Sequence, residues 1–376
     1  MPLAFKGCLT ASEAAQAMAA GVRQALPDAD VVALPMADGG DDTLEVLVGS
    51  TGGKLMAADV RGPTGRPVHA RWGVLGDGET AIVEMAQASG LRLLSPEEMD
   101  PRTTSTYGTG QLILTALDQG YRRIIVGVGG SATVDGGTGA ASALGARFLD
   151  RGGRTLPPGG AALARLHSID LTGMDNRLRE TTMTVACDVD MPLCGEHGAW
   201  TFAAQKGATP EVEGELAAAL EWFGQVVAER CGVDLRSMPL AGPAGGLSGG
   251  LHAFVGAGLL PGAELVMELT GAGGRIREAD LVIVGEGTLD GGSFRGKGPG
   301  SIAAQARSAG VPVVAVVGQV GDGVPDLAGV GIRVVEPLVD HANGAEEALA
   351  RASEIIPLAA AAAVRRFLES SPLRYN

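Results

Sequence analysis

The chain has 376 residues, of which 45% are apolar, 19% charged and only 3% aromatic, with a formal net charge of −14. Such a composition excludes a disordered chain, and the acidic excess argues against a nucleic acid or an anionic membrane surface as partner. Four scattered cysteines, Cys8, Cys187, Cys194 and Cys231, lack zinc spacing and fit a reducing cytosol better than a disulfide scaffold.

The length allows two ordinary domains. With so few aromatics the core must be built from Ala, Val, Leu and Ile. The 59 glycines exceed what helices and strands absorb, so many must lie in loops, where function tends to reside. No signal peptide or membrane-spanning stretch is expected.

Taken in order, Ala11 to Leu26 reads as a helix, because Ala14, Ala15, Met18, Ala19 and Val22 recur at helical spacing. Val31 to Leu34 is a short apolar strand, followed by the loop Pro35-Met36-Ala37-Asp38-Gly39-Gly40. Asp41 to Val48 is a second helix with acids in its first turn, where the helix dipole favours them. Lys54 to Val60, Pro67 to Leu75 and Thr80 to Met85 are β-like runs joined by short Gly-containing turns, which predicts an antiparallel set. Gly108 to Gln119 is a helix, and Ile124 to Val126 with Val128 a buried strand. Gly127 to Gly139 is a glycine-rich loop, and Ala140 to Ala146 a further helix. Met183 to Ala186 is a strand that delivers Asp188 and Asp190. Glu211 to Arg230 is a long helix, and Ala241 to Gly250 a loop before another. Leu281 to Val284 is a strand ending in Gly285-Glu286-Gly287-Thr288-Leu289-Asp290. Pro299 to Ala309 is a helix, Val313 to Val317 and Ile332 to Val335 are buried strands, and the Ala run from Leu358 to Val364 belongs to a terminal helix.

Strands alternating with helices at both ends predict a two-domain α/β protein. Its parallel-sheet, Rossmann-like domain would comprise residues 1–60 and 278–376, with a second α/β domain inserted at 61–277. Ligands in such folds gather beyond the carboxyl ends of strands and in clefts between domains.

Three constellations could carry chemistry. In the loop after the Ile124 strand, Gly129, Gly130 and Ser131 could cradle a phosphate on the amides of a helix start, with Asp135 aimed at the same space. The alternative is that Asp135 caps the helix and the glycines are turn residues. Gly291 to Gly298 contains the G-x-x-x-x-G-K core of a phosphate loop without its final Ser or Thr, so Gly296 and Lys297 read as a phosphate clamp and not as a P-loop NTPase. Acids at strand ends, Asp38, Asp135, Asp188, Asp190, Glu286 and Asp290, could hold magnesium or accept a hydroxyl proton. Asp188 and Glu286 are favoured because each directly follows an apolar strand. Lys6 and Lys206, both flanked by glycine, could bind a carboxylate or phosphate, or be ordinary exposed lysines. No Gly-x-Ser-x-Gly elbow and no Gly-x-Gly-x-x-Gly after the first strand are present, which weakens hydrolase and dehydrogenase readings.

Jointly these loops resemble the glycerate kinase type 1 family. The matching segments are Phe-Lys-Gly at 5–7, Pro-Met-Ala-Asp-Gly-Gly at 35–40, Glu-Met-Ala-Gln-Ala-Ser-Gly-Leu at 84–91, Thr-Tyr-Gly-Thr-Gly at 106–110 and the stretch 127–139. Cys-Asp-Val at 187–189, Gln-Lys-Gly-Ala at 205–208, Ala-Gly-Gly-Leu at 244–247, Val-Gly-Glu-Gly at 284–287 and Gly-Lys-Gly-Pro at 296–299 continue it in family order. The resemblance implies a cytoplasmic enzyme that moves the γ-phosphoryl of ATP, with Mg2+, onto glycerate to give 2- or 3-phosphoglycerate. A homodimer is compatible with it. Expected roles are phosphate binding by Gly129, Gly130, Ser131, Gly287, Gly296 and Lys297, and magnesium binding by Glu286 and Asp290. Asp188 or Asp135 would orient or deprotonate the hydroxyl, and Lys6, Asp38, Gly39, Gly40 and Lys206 would form the glycerate site. The chain departs from the family at Pro2-Leu3-Ala4, where Pro-Asp-Ser is usual and an apolar strand is expected before it. It departs also at Val134 and Met191, each in place of Asn, and at Asp41-Asp42, in place of Glu-Gly. These departures leave open a second expectation, a catalytically impaired glycerate- or nucleotide-binding remnant.

Overall fold

The helical spacing at the amino end is realised as the helix Ala11–Ala25, whose buried face is Ala14, Ala15, Met18, Ala19 and Val22. Thr10 and Glu13 close a reciprocal capping box at its start, satisfying two amides the helix leaves over. The computed structural model describes residues 1–5, 7–294 and 298–370. The protein divides into two units, residues 39–262 and residues 1–38 with 263 onward.

The 39–262 unit holds a six-stranded mixed sheet. Its strands are β1 (Lys54–Arg61), β2 (Pro67–Val74), β3 (Thr80–Glu84), β4 (Arg123–Gly127), β7 (Thr182–Cys187) and β8 (Gly258–Pro261), in that spatial order. A separate antiparallel pair is formed by β5 (Arg147–Leu149) and β6 (Ser168–Asp170). β1, β2 and β3 are antiparallel neighbours, as their short connections require. From β3 onward the pairing is parallel through β4, β7 and β8. All five residues of β3 and the last four of β4 are buried, the pattern of strands covered on both faces. One core gathers Trp72, Ile113, Val126 and Val185 between this sheet and the helix Tyr107–Asp118. A second packs the long helix Pro210–Cys231 through Phe223 against Phe148 and Phe254.

The other unit has a three-stranded parallel sheet of β9 (Val282–Leu289), β10 (Val313–Val320) and β11 (Ile332–Pro337), with β10 central. Its core joins Phe5, Met18, Val314, Val316 and Ile356. Among the described residues no helix is long and apolar enough to cross a membrane.

Three local expectations are corrected. Val31 to Leu34 forms no strand: residues 30–38 carry no regular structure, although Met36 N–H donates to the Pro2 carbonyl at 2.9 Å and Arg23 to the Val31 carbonyl at 3.3 Å. Apolar residues make a strand only where a neighbour supplies the ladder. Gly285 to Leu289, expected as a loop, continues β9. Its partner β10 also runs on, pairing Gln319 with Thr288 and Val320 with Leu289. At Gly318 a Cβ would stand 2.2 Å from the Gly287 carbonyl oxygen, so a glycine there lets the two strands close up. Ala241 to Gly250, also expected as a loop, lies mostly within the helical segment Pro243–Val255, which is kinked by left-handed residues at Ala244, Gly245 and Gly246, with φ of 56°, 64° and 90°.

Candidate active site

The parallel strands β3, β4 and β7 end together, and the loops leaving them carry the polar residues. After β4 the chain runs through Gly129 and Gly130 to Ser131. Gly129 N–H donates to the Gly39 carbonyl at 3.0 Å. A Cβ on Gly129 would lie 2.2 Å from the Gly40 Cα and 3.0 Å from Asp188 Oδ2. Glycine is therefore required here by the close approach of a second backbone. The same contacts bring three segments distant in sequence, 39–41, 127–131 and 186–188, to one point. Gly130 has φ +70° and a Cβ there would meet Asp41 Oδ1 at 2.9 Å. Asp41 in turn pairs with the exposed Arg92 at 2.9 Å. The segment Ser89–Leu91 fixes the loop from its other side, with Leu91 N–H donating to the Gly130 carbonyl at 2.9 Å and Ala132 N–H to the Ser89 carbonyl at 3.0 Å.

Lys206 sits behind this loop. It ends a short 3-10 turn and is 5% exposed, unlike an ordinary surface lysine. Its Nζ donates to Ser131 Oγ at 2.8 Å and to the Thr133 carbonyl at 2.7 Å, which accounts for two of an ammonium's three donors. Burial lowers its pKa to about 8, against the opposing pull of the Asp188 and Asp135 charges. Lys206 is thus a desolvated cation held beside a hydroxyl, within the field of two carboxylates.

Asp135 is not poised to react. It is fully buried, and its carboxylate accepts Thr106 N–H at 2.9 Å, Gly137 N–H at 3.1 Å and Gly139 N–H at 3.2 Å, together with the Thr106 hydroxyl. Ala140 N–H goes to Thr106 Oγ1 at 2.9 Å. The amides at the start of the helix Thr138–Ala143 are thus consumed inside the protein. The anion on those amides is Asp135 itself, in the manner of a helix cap. Burial raises its pKa against the hydrogen bonds from Thr106, Gly137 and Gly139.

Glu84, the last residue of β3, was not singled out by sequence reasoning. It is 3% exposed and accepts Leu44 N–H at 3.0 Å, capping the helix Thr43–Thr51 that leads away from Asp41 and Asp42. Burial raises its pKa to about 8, opposed by the Leu44 bond and reinforced by the charges of Glu45, Asp41 and Asp42. The available signals were its position at a strand end and its place at the head of the segment 84–91.

The remaining candidates belong to the other unit. Glu286 and Gly287 lie on β9, not in a loop. Asp290 follows β9, and its Oδ1 accepts Gly292 N–H at 2.7 Å and Ser293 N–H at 3.2 Å, so one carboxylate oxygen shapes the turn Gly291–Phe294. Asp38 closes the 1–38 segment of that unit. Lys6, Gly296 and Lys297 lie outside the described residues. The departures Leu3, Val134 and Met191 are all buried, and Val134 joins the Phe223 core.

Among the described residues no three His, Cys, Asp or Glu side chains gather closely enough to hold a metal ion.

A family model described as the glycerate kinase family matches residues 1–368. The chain belongs to the glycerate kinase family. It is an enzyme of the kinase class, a transferase. It is 42% identical over 360 residues to a glycerate kinase of Halalkalibacterium halodurans, covering 96% of this chain and 95% of the relative. Identity to a glycerate 2-kinase of Escherichia coli is 42% over 348 residues, 92% and 91% of the two chains. The crystal structure of a putative glycerate kinase 2 from Salmonella typhimurium LT2 superposes with a TM-score of 0.81 at 40% identity, covering 99% of this chain and 98% of that one.

Proposed function

We propose that this protein is a type 1 glycerate kinase that transfers the γ-phosphoryl of ATP to glycerate, giving 2-phosphoglycerate. The observation that carries the reading is the buried ammonium of Lys206 beside Ser131, with Asp188 the foremost charge acting on it, in a chain that belongs to this family over nearly its whole length. The choice of the 2-position rests on the E. coli relative named glycerate 2-kinase.

Lys206 receives the glycerate carboxylate as a point charge, with Gly39 and Gly40 giving the small anion close access to backbone and Asp38 bordering them. Asp188, and not the fully engaged Asp135, accepts the proton of the reacting hydroxyl. The freed oxygen forms a bond to the γ-phosphorus, the bond to the β-γ bridging oxygen breaks, and ADP leaves. Gly129, Gly130 and Ser131 serve the transferred phosphoryl, and Gly287, Gly296 and Lys297 the nucleotide's phosphates. Glu286 and Asp290 would hold Mg2+, which would supply charge neutralisation to the nucleotide's phosphates.

The test is ADP release by the purified protein supplied with ATP, magnesium and D- or L-glycerate, followed by phosphorus NMR of the product. A phosphomonoester on the 2-hydroxyl supports the reading and one on the 3-hydroxyl corrects the position. No glycerate-dependent ADP release would leave the binding-remnant alternative in its place.

A further inference from the structure

The glycine loop 129–131 is gripped along one side by Gly90 and Leu91. Gly90 and Ser131 form an antiparallel bridge, and Leu91 N–H donates to the Gly130 carbonyl at 2.9 Å. The next residue is Arg92, in the 3-10 turn Leu91–Leu93. Asp41 holds its guanidinium at this loop. Oδ2 of Asp41 pairs with Arg92 at 2.9 Å, and Oδ1 lies 2.9 Å from where a Cβ on Gly130 would stand. One carboxylate's width therefore separates the guanidinium from Gly130. Lys206 meets the same loop at Ser131, with a second N–H given to the Thr133 carbonyl. The surroundings are acidic: the charges of Asp41, Asp42 and Glu45 all bear on the buried Glu84, in a chain of net charge −14. A phosphoryl group at Gly130 meets repulsion from these carboxylates, and Arg92 is the cation placed to offset it.

We propose that Arg92 is a catalytic residue of this enzyme, which leaves Asp41 and binds the phosphoryl group in transfer at Gly130. The inference rests on the function proposed above, in which the loop 129–131 serves that group. The tie to Asp41 is loose. The Arg92 side chain is 69% exposed, and solvent-exposed ion pairs hold their partners weakly. A phosphoryl group offers three equatorial oxygens, and the fork of a guanidinium meets two of them at once. The exchange thus replaces a weak pair by a charge-assisted, bidentate one. As the glycerate oxygen bonds to the γ-phosphorus and the bond to the β-γ bridging oxygen breaks, charge is spread over those equatorial oxygens. Arg92 N–H groups donate to them, and no proton leaves the guanidinium. Asp41 sets the resting position: it keeps the cation at the loop between turnovers and competes with the anion for it.

The test compares Arg92→Gln with Arg71→Gln, which removes the same charge from the pair of Arg71 with Glu45, in the first turn of the helix Thr43–Thr51. Both arginines are exposed, so both variants should melt within about 2 °C of wild type. In ADP-release kinetics Arg92→Gln lowers kcat and kcat/KM for glycerate together, by about 100-fold or more, with KM nearly unchanged. Arg71→Gln changes neither. Calorimetric titration with inorganic phosphate gives a readout that needs no turnover. Affinity falls about tenfold or more in Arg92→Gln, is unchanged in Arg71→Gln, and rises in Asp41→Asn, where the competing carboxylate is gone. Adding Arg92→Gln to Asp41→Asn cancels that rise. Absence of glycerate-dependent ADP release by the wild type would remove the glycerate reading and leave the phosphate comparison in force. Equal phosphate affinity in Arg92→Gln and Arg71→Gln overturns the role of Arg92, as does a kcat for Arg92→Gln within about threefold of wild type.

Discussion

Replacing Lys206 by methionine separates a functional lysine from a structural one. At pH 7 the ammonium is charged in both the folded and unfolded states, and its burial costs the fold free energy. A pKa lowered from 10.5 to about 8 corresponds to roughly 3 kcal/mol at 1.36 kcal/mol per unit. Methionine removes that cost but leaves the Thr133 carbonyl, which Nζ serves at 2.7 Å, without its donor, a loss of about 1–3 kcal/mol. The two nearly offset, so Lys206→Met should keep the stability within about 2 kcal/mol of wild type. Catalysis should respond otherwise. A charge about 4 Å from a substrate carboxylate at an effective dielectric near 20 is worth about 4 kcal/mol, so kcat/KM for glycerate should fall about 10³-fold. The measurements are coupled ADP-release kinetics and urea unfolding of both proteins. The linkage has a definite sign. The folded-state pKa is the lower one, so wild-type stability rises with pH between about 8 and 10.5 as the folded lysine sheds its proton first, and the variant lacks that rise. Over the same limb kcat/KM of the wild type falls as the ammonium is lost. Turnover within about threefold of wild type, or a variant that fails to fold, would refute this role for Lys206.

Four other substitutions probe the remaining groups. Glu84 has a folded pKa raised from 4.5 to about 8, so the stability it confers is full below pH 4.5 and is lost as pH rises through 8. The stability difference between wild type and Glu84→Gln should drift by up to about 5 kcal/mol across that window, and a flat difference in urea melts from pH 5 to 8 would count against it. Asp42 holds φ +68°, where glycine is usual in the family it resembles. Asp42→Gly should leave stability level or raise it by up to about 1 kcal/mol, and a loss beyond that would show that the Asp42 side chain matters more than its strain. Asp135→Ala strands the amides of Thr106, Gly137 and Gly139 and should cost about 3–5 kcal/mol, read as a lower melting temperature before any kinetic measurement. Gly129→Ala puts a methyl 2.2 Å from the Gly40 Cα and should abolish activity together with several degrees of thermal stability; a fully active variant would mean that the 39–41 segment moves aside freely.

The elements that sequence periodicity identified well are those whose apolar pattern is self-sufficient. The helix Ala11–Ala25, the antiparallel run β1 to β3 and the long helix Pro210–Cys231 each repeat at their own period over many residues. The failures share one cause, which is pairing. Val31 to Leu34 has the composition of a strand and no ladder beside it, whereas Gly285-Glu286-Gly287-Thr288 has the composition of a loop and is drawn into β9 by β10. The site divides in the same way. Gly129, Asp188 and Lys206 could be picked out as glycine, acid and base in loops, but nothing in their spacing told Lys206 from a solvated lysine. Burial beside Ser131 does. Asp135 read in the sequence as either a reactive acid or a helix cap, and it accepts from three backbone amides. Glu84, though it heads the segment 84–91, and Arg92 were given no role, because a single carboxylate or guanidinium has no pattern until its neighbours are known.

By itself the sequence determined the family, through many short glycine loops in a fixed order, and the α/β class, through alternating strand and helix periods. Both are properties of local chain chemistry, which a linear reading can register. The tertiary structure alone decided which charged groups are desolvated and which hydrogen bonds consume them. Desolvation and hydrogen-bond partnership are set by residues tens to hundreds of positions apart, such as Lys206 with Ser131 or Met1 with Ile283, and only the folded chain brings those together.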